Sequence, residues 1–174
     1  MSTVIDAIKT RRSIRKFKPD MPKASDIDQV VEAGRYAASG MNRQGTVIIK
    51  VTDKAIRDRL SAMNCRIGGW QEGFDPFYGA PCILIVLSDR TKPTCVYDGS
   101  LVMGNLMLAA HALGLGSCWI HRAREEFDSP EGKAMLAQLG IEGDWEGIGH
   151  CALGFAEGEA PNAPPRREGR VYSV

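Results

Sequence analysis

Between positions 11 and 15 the chain carries Arg11-Arg12-Ser13-Ile14-Arg15, three guanidiniums and a hydroxyl within five residues. Arginine binds phosphate bidentately, and serine can add a further hydrogen bond. In an extended segment Arg11, Ser13 and Arg15 point to one side. The pattern suits a dianionic phosphate; it also suits a solvated basic turn. A second basic pair, Arg166-Arg167, follows a Pro-rich stretch near the C-terminus. Alone it reads as solvated terminal charge, and together with the first cluster it can surround one phosphate. A third segment, Ser39-Gly40-Met41-Asn42-Arg43-Gln44, offers amide donors and acceptors that suit a planar heterocycle with imide edges. An ordinary helix-to-strand loop favours the same residue types. In Gly114-Leu115-Gly116-Ser117-Cys118-Trp119-Ile120 the glycines permit close backbone approach to a ligand, and Trp119 can wall a pocket. The alternative there is a helix cap followed by a core strand.

Other chemistries find little support. His111, His121 and His150 have no metal-ligand spacing among themselves or with cysteine. His111 falls in an apolar helix and is expected to be a packed core histidine. No Gly-x-Gly-x-x-Gly follows a strand, and neither a P-loop nor a Gly-x-Ser-x-Gly elbow is present. Cys65, Cys82, Cys95, Cys118 and Cys151 are odd in number and include no C-x-x-C pair, so no disulfide framework is expected. A reduced, cytoplasmic protein is the simplest expectation. Cys118 is expected to be a buried small hydrophobe, not a nucleophile.

The elements that must hold these residues fit one domain of 174 residues. Lys plus Arg is 22 against 21 for Asp plus Glu, a net +1. That balance argues against a dedicated nucleic-acid or membrane-surface module. No window reaches the ~18 apolar residues of a membrane span, and no signal peptide is visible at the N-terminus. A helix is expected from Val4 to Thr10, capped by Ser2 or Thr3. Ser25 is expected to cap a second helix with Ile27, Val30, Val31, Gly34 and Ala38 on one face. Val47 to Thr52 reads as a strand. Asp53 caps a helix turning Ile56, Leu60 and Met63 inward, and a long loop rich in glycine and aromatics runs from Asn64 to Ala80. Cys82 to Leu87 reads as a strand buried on both faces. Asp98 to Leu113 is a helix apolar all round, hence central or at a subunit interface. Ser117 to Ile120, a helix begun by Ser129-Pro130, and a strand from Gly147 to Phe155 complete an α/β or α+β pattern.

In their order, these segments resemble the nitroreductase family of FMN enzymes. The resemblance is carried by Arg11 to Phe17, Ser39 to Gln44, Phe77-Tyr78-Gly79-Ala80-Pro81, Asp98 to Leu101, Asn105 to His111, Gly114 to Ile120 and Arg166 to Val171. It implies an α+β sandwich with a central, mostly antiparallel sheet flanked by helices, built as an intertwined homodimer. Residues 1–174 would form one FMN-binding domain, with the tail 156–174 extending along the partner subunit. By position, Arg11, Arg12, Ser13 and Arg15 would hold the FMN phosphate and part of the ring system, with Arg166 and Arg167 on the same phosphate. Ser39, Gly40 and Asn42 would meet the flavin from the partner. The backbone around Trp119, Ile120 and His121 would border the ring near its reactive nitrogen, with His121 a pocket residue. The implied activity is transfer of hydride from NADH or NADPH, through FMN, to nitroaromatic, quinone or similar small-molecule acceptors by a ping-pong mechanism. A flavin storage or sensor protein, or a flavin-consuming or dehalogenating relative, is the alternative. Ala38 and Gly45 stand where the family usually has proline and Pro-Trp. His121-Arg122 stands where it often has small residues, which alters the expected substrate pocket.

Overall fold

Strand β2 (Cys82–Asp89) is the axis of the molecule; its first seven residues are buried. The computed structural model describes residues 3–174. Four antiparallel strands run in the order β1-β2-β4-β3, where β1 is Thr46–Val51, β3 is Gly116–Ile120 and β4 is Trp145–Gly154. Alternation along β2 feeds two cores. Ile83, Ile85 and Leu87 join Leu60, Phe127 and Leu136 on the face covered by α3 (Lys54–Gly68), α5 (Ala123–Asp128) and α6 (Pro130–Gln138). Cys82, Leu84 and Val86 join Ile27, Val30, Met103 and Leu106 on the face covered by α2 (Ala24–Arg35) and α4 (Cys95–Ala112). The chain is therefore an α+β sandwich with a helical layer on each side of one sheet.

Helix α1 (Val4–Thr10) starts with a capping box. The Thr3 hydroxyl accepts from the Asp6 N–H, and the Asp6 carboxylate accepts from the Thr3 N–H and hydroxyl. Ser2 lies outside the described residues. Asp53 and Ser129 cap α3 and α6 as the sequence predicts. Ser25 does not cap α2: the N-cap is Lys23, whose side chain makes no cap bond, and Ser25 is already inside the helix. Ala38 lies beyond α2 and is exposed. Ile56 is exposed, because α3 turns Leu60 and Met63 to the core from the next positions on its face. Helix α3 also consumes the start of the expected loop and runs to Gly68. His111 is not a core histidine. It is half-buried near the end of α4, with Nε2 2.8 Å from the Thr10 hydroxyl oxygen. That hydroxyl donates to the Asp6 carbonyl, so the imidazole N–H donates to it.

The loop between α3 and β2 is held from one point. Asp75 pairs with the buried Arg57 and accepts from the Ser61 hydroxyl and from the N–H groups of Phe77 and Gly79. Arg57 Nε also donates to the Ala80 carbonyl at 3.0 Å. Burial opposes the charge on Asp75, but Arg57, Ser61 and Gly79 outweigh it and hold the carboxyl below its ordinary 3.8. The lowered value means that this stabilisation is complete above pH 3.8 and fades as pH falls through the folded-state value. Asp75→Asn should cost about 2 kcal/mol at pH 7, below the full cost of breaking a buried pair because Asp75 is partly exposed. In urea unfolding, the gap between wild type and variant should shrink below about pH 4. A gap that is constant from pH 7 to pH 2.5 would remove Asp75 as the pinning charge.

Candidate functional site

After α1 the chain runs extended along the free edge of β3. The Ile14 N–H donates to the Ser117 carbonyl at 2.9 Å, and Ser13 bridges Ser117 in parallel. Further on, Lys18 N–H donates to Phe155 and Glu157 N–H to Lys16. Ile14 and Phe17 turn into the core. Burial raises the Cys118 thiol, and the charges of Arg15 and Arg11 together with the Ser13 hydroxyl oppose that rise, so all three bear on it from one side. The alternation expected of an extended segment is thus present. Arg12 turns the other way, donating to the Lys9 and Arg11 carbonyls at the end of α1.

The charge around this segment is uncompensated. Among the described residues, seven of the fourteen arginines lie within 4.0 Å of a carboxylate: Arg35, Arg57, Arg59, Arg66, Arg90, Arg122 and Arg124. None of Arg11, Arg12, Arg15, Arg166 and Arg167 does. Arg11 Nη1 is buried with no hydrogen-bond partner among the described residues, as is the Ser117 hydroxyl. An orphaned buried guanidinium nitrogen is costly unless an anion answers the group. The donor set therefore fits a phosphate. Arg166 and Arg167 are exposed in the tail, where Arg166 donates to the Pro164 carbonyl.

The segment Ser39 to Gln44 lies elsewhere. It forms a 3₁₀ turn, Gly40–Asn42, with Met41, Asn42 and Gln44 in the left-handed region. Asp98, buried at the start of α4, accepts from the Gly40 N–H and the Thr94 hydroxyl. Ser39 Oγ accepts from the Gln44 N–H, and Asn42 Oδ1 from Gln44 Nε2. The turn leads into β1, whose Thr46 pairs with Ser88, which pairs with Glu146. Ser13 instead bridges Ser117, which pairs with Leu153, which pairs with Cys82. The two segments thus lie six residues apart along β2 and four strand spacings apart across the sheet. Those separations are roughly 20 Å and roughly 19 Å, so the segments occupy diagonal corners roughly 27 Å apart.

The third predicted part is the turn from β3 into α5. Ile120 is buried, Trp119 is half-buried and His121 is exposed. Trp119 needs the bare face of Gly149, where a Cβ would come within 2.3 Å of the indole nitrogen. Behind the turn is a buried polar group that the sequence does not reveal. Asn64 Nδ2 donates to the His121 carbonyl at 2.9 Å and to Glu126 Oε1 at 2.6 Å. Glu126 Oε2 stands 2.8 Å from His150 Nε2, and both residues have no solvent exposure. The two atoms do not meet hydrogen-bond geometry, so the contact is a close approach of two buried polar groups. Residues from α3, α5 and β4 thereby fix the His121 carbonyl.

Chemistry by thiol is disfavoured. All five cysteines are unpaired, and Cys65, Cys82, Cys118 and Cys151 are buried. Burial pushes the Cys82 thiol up to about 12 against a small pull from Lys50. It also raises Cys151, and it raises Cys118 in spite of Arg15, Ser13 and Arg11. No group of three or more His, Cys, Asp or Glu among the described residues could hold a metal ion.

Comparison with known proteins gives a consistent picture. A model of the nitroreductase family matches residues 8–65 and 70–155. A Methanothermobacter thermautotrophicus protein, provisionally named NADH dehydrogenase/NAD(P)H nitroreductase, is 30% identical over 125 residues. That match takes in 67% of this chain and 59% of the relative, so the chain spans under two thirds of that protein's length. An iodotyrosine deiodinase of Thermotoga neapolitana is 29% identical over 67% of this chain and 73% of its own. Among solved structures, a nitroreductase with bound FMN from Bacteroides fragilis superposes with TM-score 0.91 at 28% identity, covering 100% of both chains.

The buried thiols generate a test. A water-soluble alkylating reagent at pH 8 should leave Cys82, Cys118 and Cys151 unmodified in the native protein and label all five cysteines in denaturant. Mass mapping that finds Cys118 alkylated first would show an activated thiol at the phosphate-fitting segment.

Proposed function

The chain belongs to the nitroreductase family, and on that premise we propose that it is an FMN-dependent oxidoreductase taking hydride from NADH or NADPH and reducing a small aromatic acceptor. The observation that carries this reading is the uncompensated guanidinium of Arg11, with Arg15 and the Ser13 hydroxyl beside it at the edge of β3. When bound, FMN supplies the hydride-accepting and electron-donating chemistry. Arg11, Ser13 and Arg15 hold its phosphate. Arg12 anchors the segment by capping α1. The backbone of Trp119, Ile120 and His121 borders the ring, kept in place by Asn64. No side chain is assigned proton transfer.

The diagonal separation of the two predicted half-sites supports a homodimer. One chain cannot offer both corners to one ligand, whereas two chains related by a two-fold axis can bring unlike corners together. A surface suited to such pairing is present. Val4, Ile5 and Ile8 on α1 and Val96, Tyr97 and Leu101 on α4 are exposed, and α1 packs against α4. In this reading Ser39, Gly40 and Asn42 meet the flavin of the partner. The tail 156–174 extends along the partner and carries Arg166 and Arg167 toward the phosphate. The five unpaired thiols fit a reducing cytoplasm; among the described residues no helix is long and apolar enough to cross a membrane. Reductive dehalogenation is a second reading, favoured by the Thermotoga relative named for it; halide release from an iodinated phenol would select it.

Two experiments test the proposal. The purified protein should be yellow with about one FMN per chain. Arg11→Ala should weaken FMN roughly ten- to a hundredfold while barely changing riboflavin, which lacks the phosphate. Equal losses for both flavins would remove Arg11 from the phosphate. Separately, a variant with Arg11→Ala and Ser13→Ala is co-expressed with one carrying Ser39→Ala and Asn42→Ala. Each homodimer has two damaged sites, and each heterodimer has one intact site. Random pairing makes about half the dimers mixed and should restore about a quarter of native flavin binding and activity. Heterodimers detected by mass with neither recovered would defeat the shared site.

A further inference from the structure

Trp70, on the loop between α3 and β2, has an unusual setting. Its indole lies against Gly68, where a Cβ would come within 2.3 Å of two ring carbons. Position 68 therefore has no room for a side chain while the ring stays there. The Arg122 guanidinium carbon stands 5.5 Å from the Trp70 ring centroid, within cation–π range. Arg122 directly follows His121 and has φ +78°, a left-handed conformation that an arginine adopts at a cost. Phe74 packs tilted on Trp70 at 5.4 Å, and Tyr78 meets Phe74 edge-on at 6.4 Å. Trp70 and Phe74 are 44% and 42% exposed. Both line a cleft of about 530 Å³ between the loop and α3, a volume suited to a small organic ligand.

The charges around the cleft narrow the ligand. Arg57 is taken by Asp58 and Asp75, and Arg66 by Glu131. Glu72 also lines the cleft, which disfavours an anion deep inside it. Among the described residues, Arg122 touches a carboxylate only through one contact of 3.7 Å to Glu125, too loose to engage the guanidinium fork. Arg122 reaches the cleft through Trp70, which lines it, so an anionic group is favoured on the Arg122 side of the indole, with apolar and aromatic surface beyond it.

We propose that Trp70 and Arg122 form the recognition site for the electron acceptor, and that the acceptor is a planar aromatic molecule bearing an anionic substituent. Its ring lies on the indole and its anion pairs with the guanidinium. That the molecule is reduced rests on the oxidoreductase reading; that it binds does not.

The test uses 4-nitrobenzoate and nitrobenzene as probes, alike in the reducible group and different in charge. Calorimetric titration of the flavin-loaded native protein should show roughly tenfold or more preference for the nitrobenzoate. Arg122→Asn removes the charge while tolerating positive φ, and should abolish the preference by weakening the nitrobenzoate alone. Arg122→Lys should retain part of it. The change in tryptophan emission on nitrobenzoate binding should be lost in Trp70→Phe, although Trp119 and Trp145 remain. Flavin content and circular dichroism show whether each variant folds. If Arg122→Asn does not fold, raising the salt on the native protein must weaken the nitrobenzoate and spare nitrobenzene. Equal affinity for the two probes, a preference that survives Arg122→Asn, or an emission change that persists in Trp70→Phe would overturn the proposal. If the preference holds but neither nucleotide reduces the bound flavin, the oxidoreductase reading fails and the binding site stands.

Discussion

The hydrogen bond from the Ile14 N–H to the Ser117 carbonyl sets the rest of the molecule's chemistry. It ties the chain after α1 to the free edge of β3, and the two-residue period does the remainder. Ile14 and Phe17 enter the core, while Ser13, Arg11 and Arg15 stay on the side of Cys118. One such bond contributes only about 1 kcal/mol. Burial of Ile14 and Phe17 adds roughly 1.5–3 kcal/mol each, so the segment is held mainly by its apolar positions. Packing thereby fixes cationic groups that no carboxylate among the described residues neutralises.

The same sheet that fixes this corner excludes the other. The register of β2 with β4 is set by two cores that accept alternate residues of one strand, and a slip of one residue would exchange them. The Ser39–Gln44 turn is tied to the opposite corner by Asp98 and by the start of β1. No side-chain rearrangement closes a gap of roughly 27 Å across a sheet buried on both faces. The split is therefore a property of topology, and the two-fold axis of the proposed homodimer would resolve it without altering either half.

Much of this was legible from local pattern. The helix at Val4–Thr10, the caps at Asp53 and Ser129, and the buried strand from Cys82 follow from cap chemistry and hydrophobic period. Helix α5 was not, because it spans six residues, is entered through a left-handed Arg122 and has no side-chain cap. Ser25 misled because a serine near a helix start need not be at the cap. His111 misled because an apolar helix longer than its core contact leaves one flank uncovered. The long-range arginine pairs could not be read at all. Arg57 meets Asp75 across 18 positions and Arg59 meets Glu131 across 72, and neither spacing has a helical or strand period. The group of Asn64, Glu126 and His150 is hidden for the same reason.

The long-range pairings also separate two tasks that the sequence mixes. The phosphate-fitting residues lie on a segment locked to β3, ahead of every strand in the chain. The turn at His121 is held from behind by Asn64, so its carbonyl is fixed by α3, α5 and β4 together. Trp70 and Phe74 ride instead on a loop pinned by Asp75, which follows Phe74 directly. Trp70 can change without touching the partners of Asp75, and Arg122 can change without moving the carbonyl that Asn64 holds so long as the new residue keeps the left-handed backbone. Substitutions far from one another that share no partner act independently. In the proposed reading, phosphate binding can thus stay constant while the surface around the cleft changes, so that His121-Arg122, in place of small residues, bears on the acceptor and leaves the Arg11 corner intact.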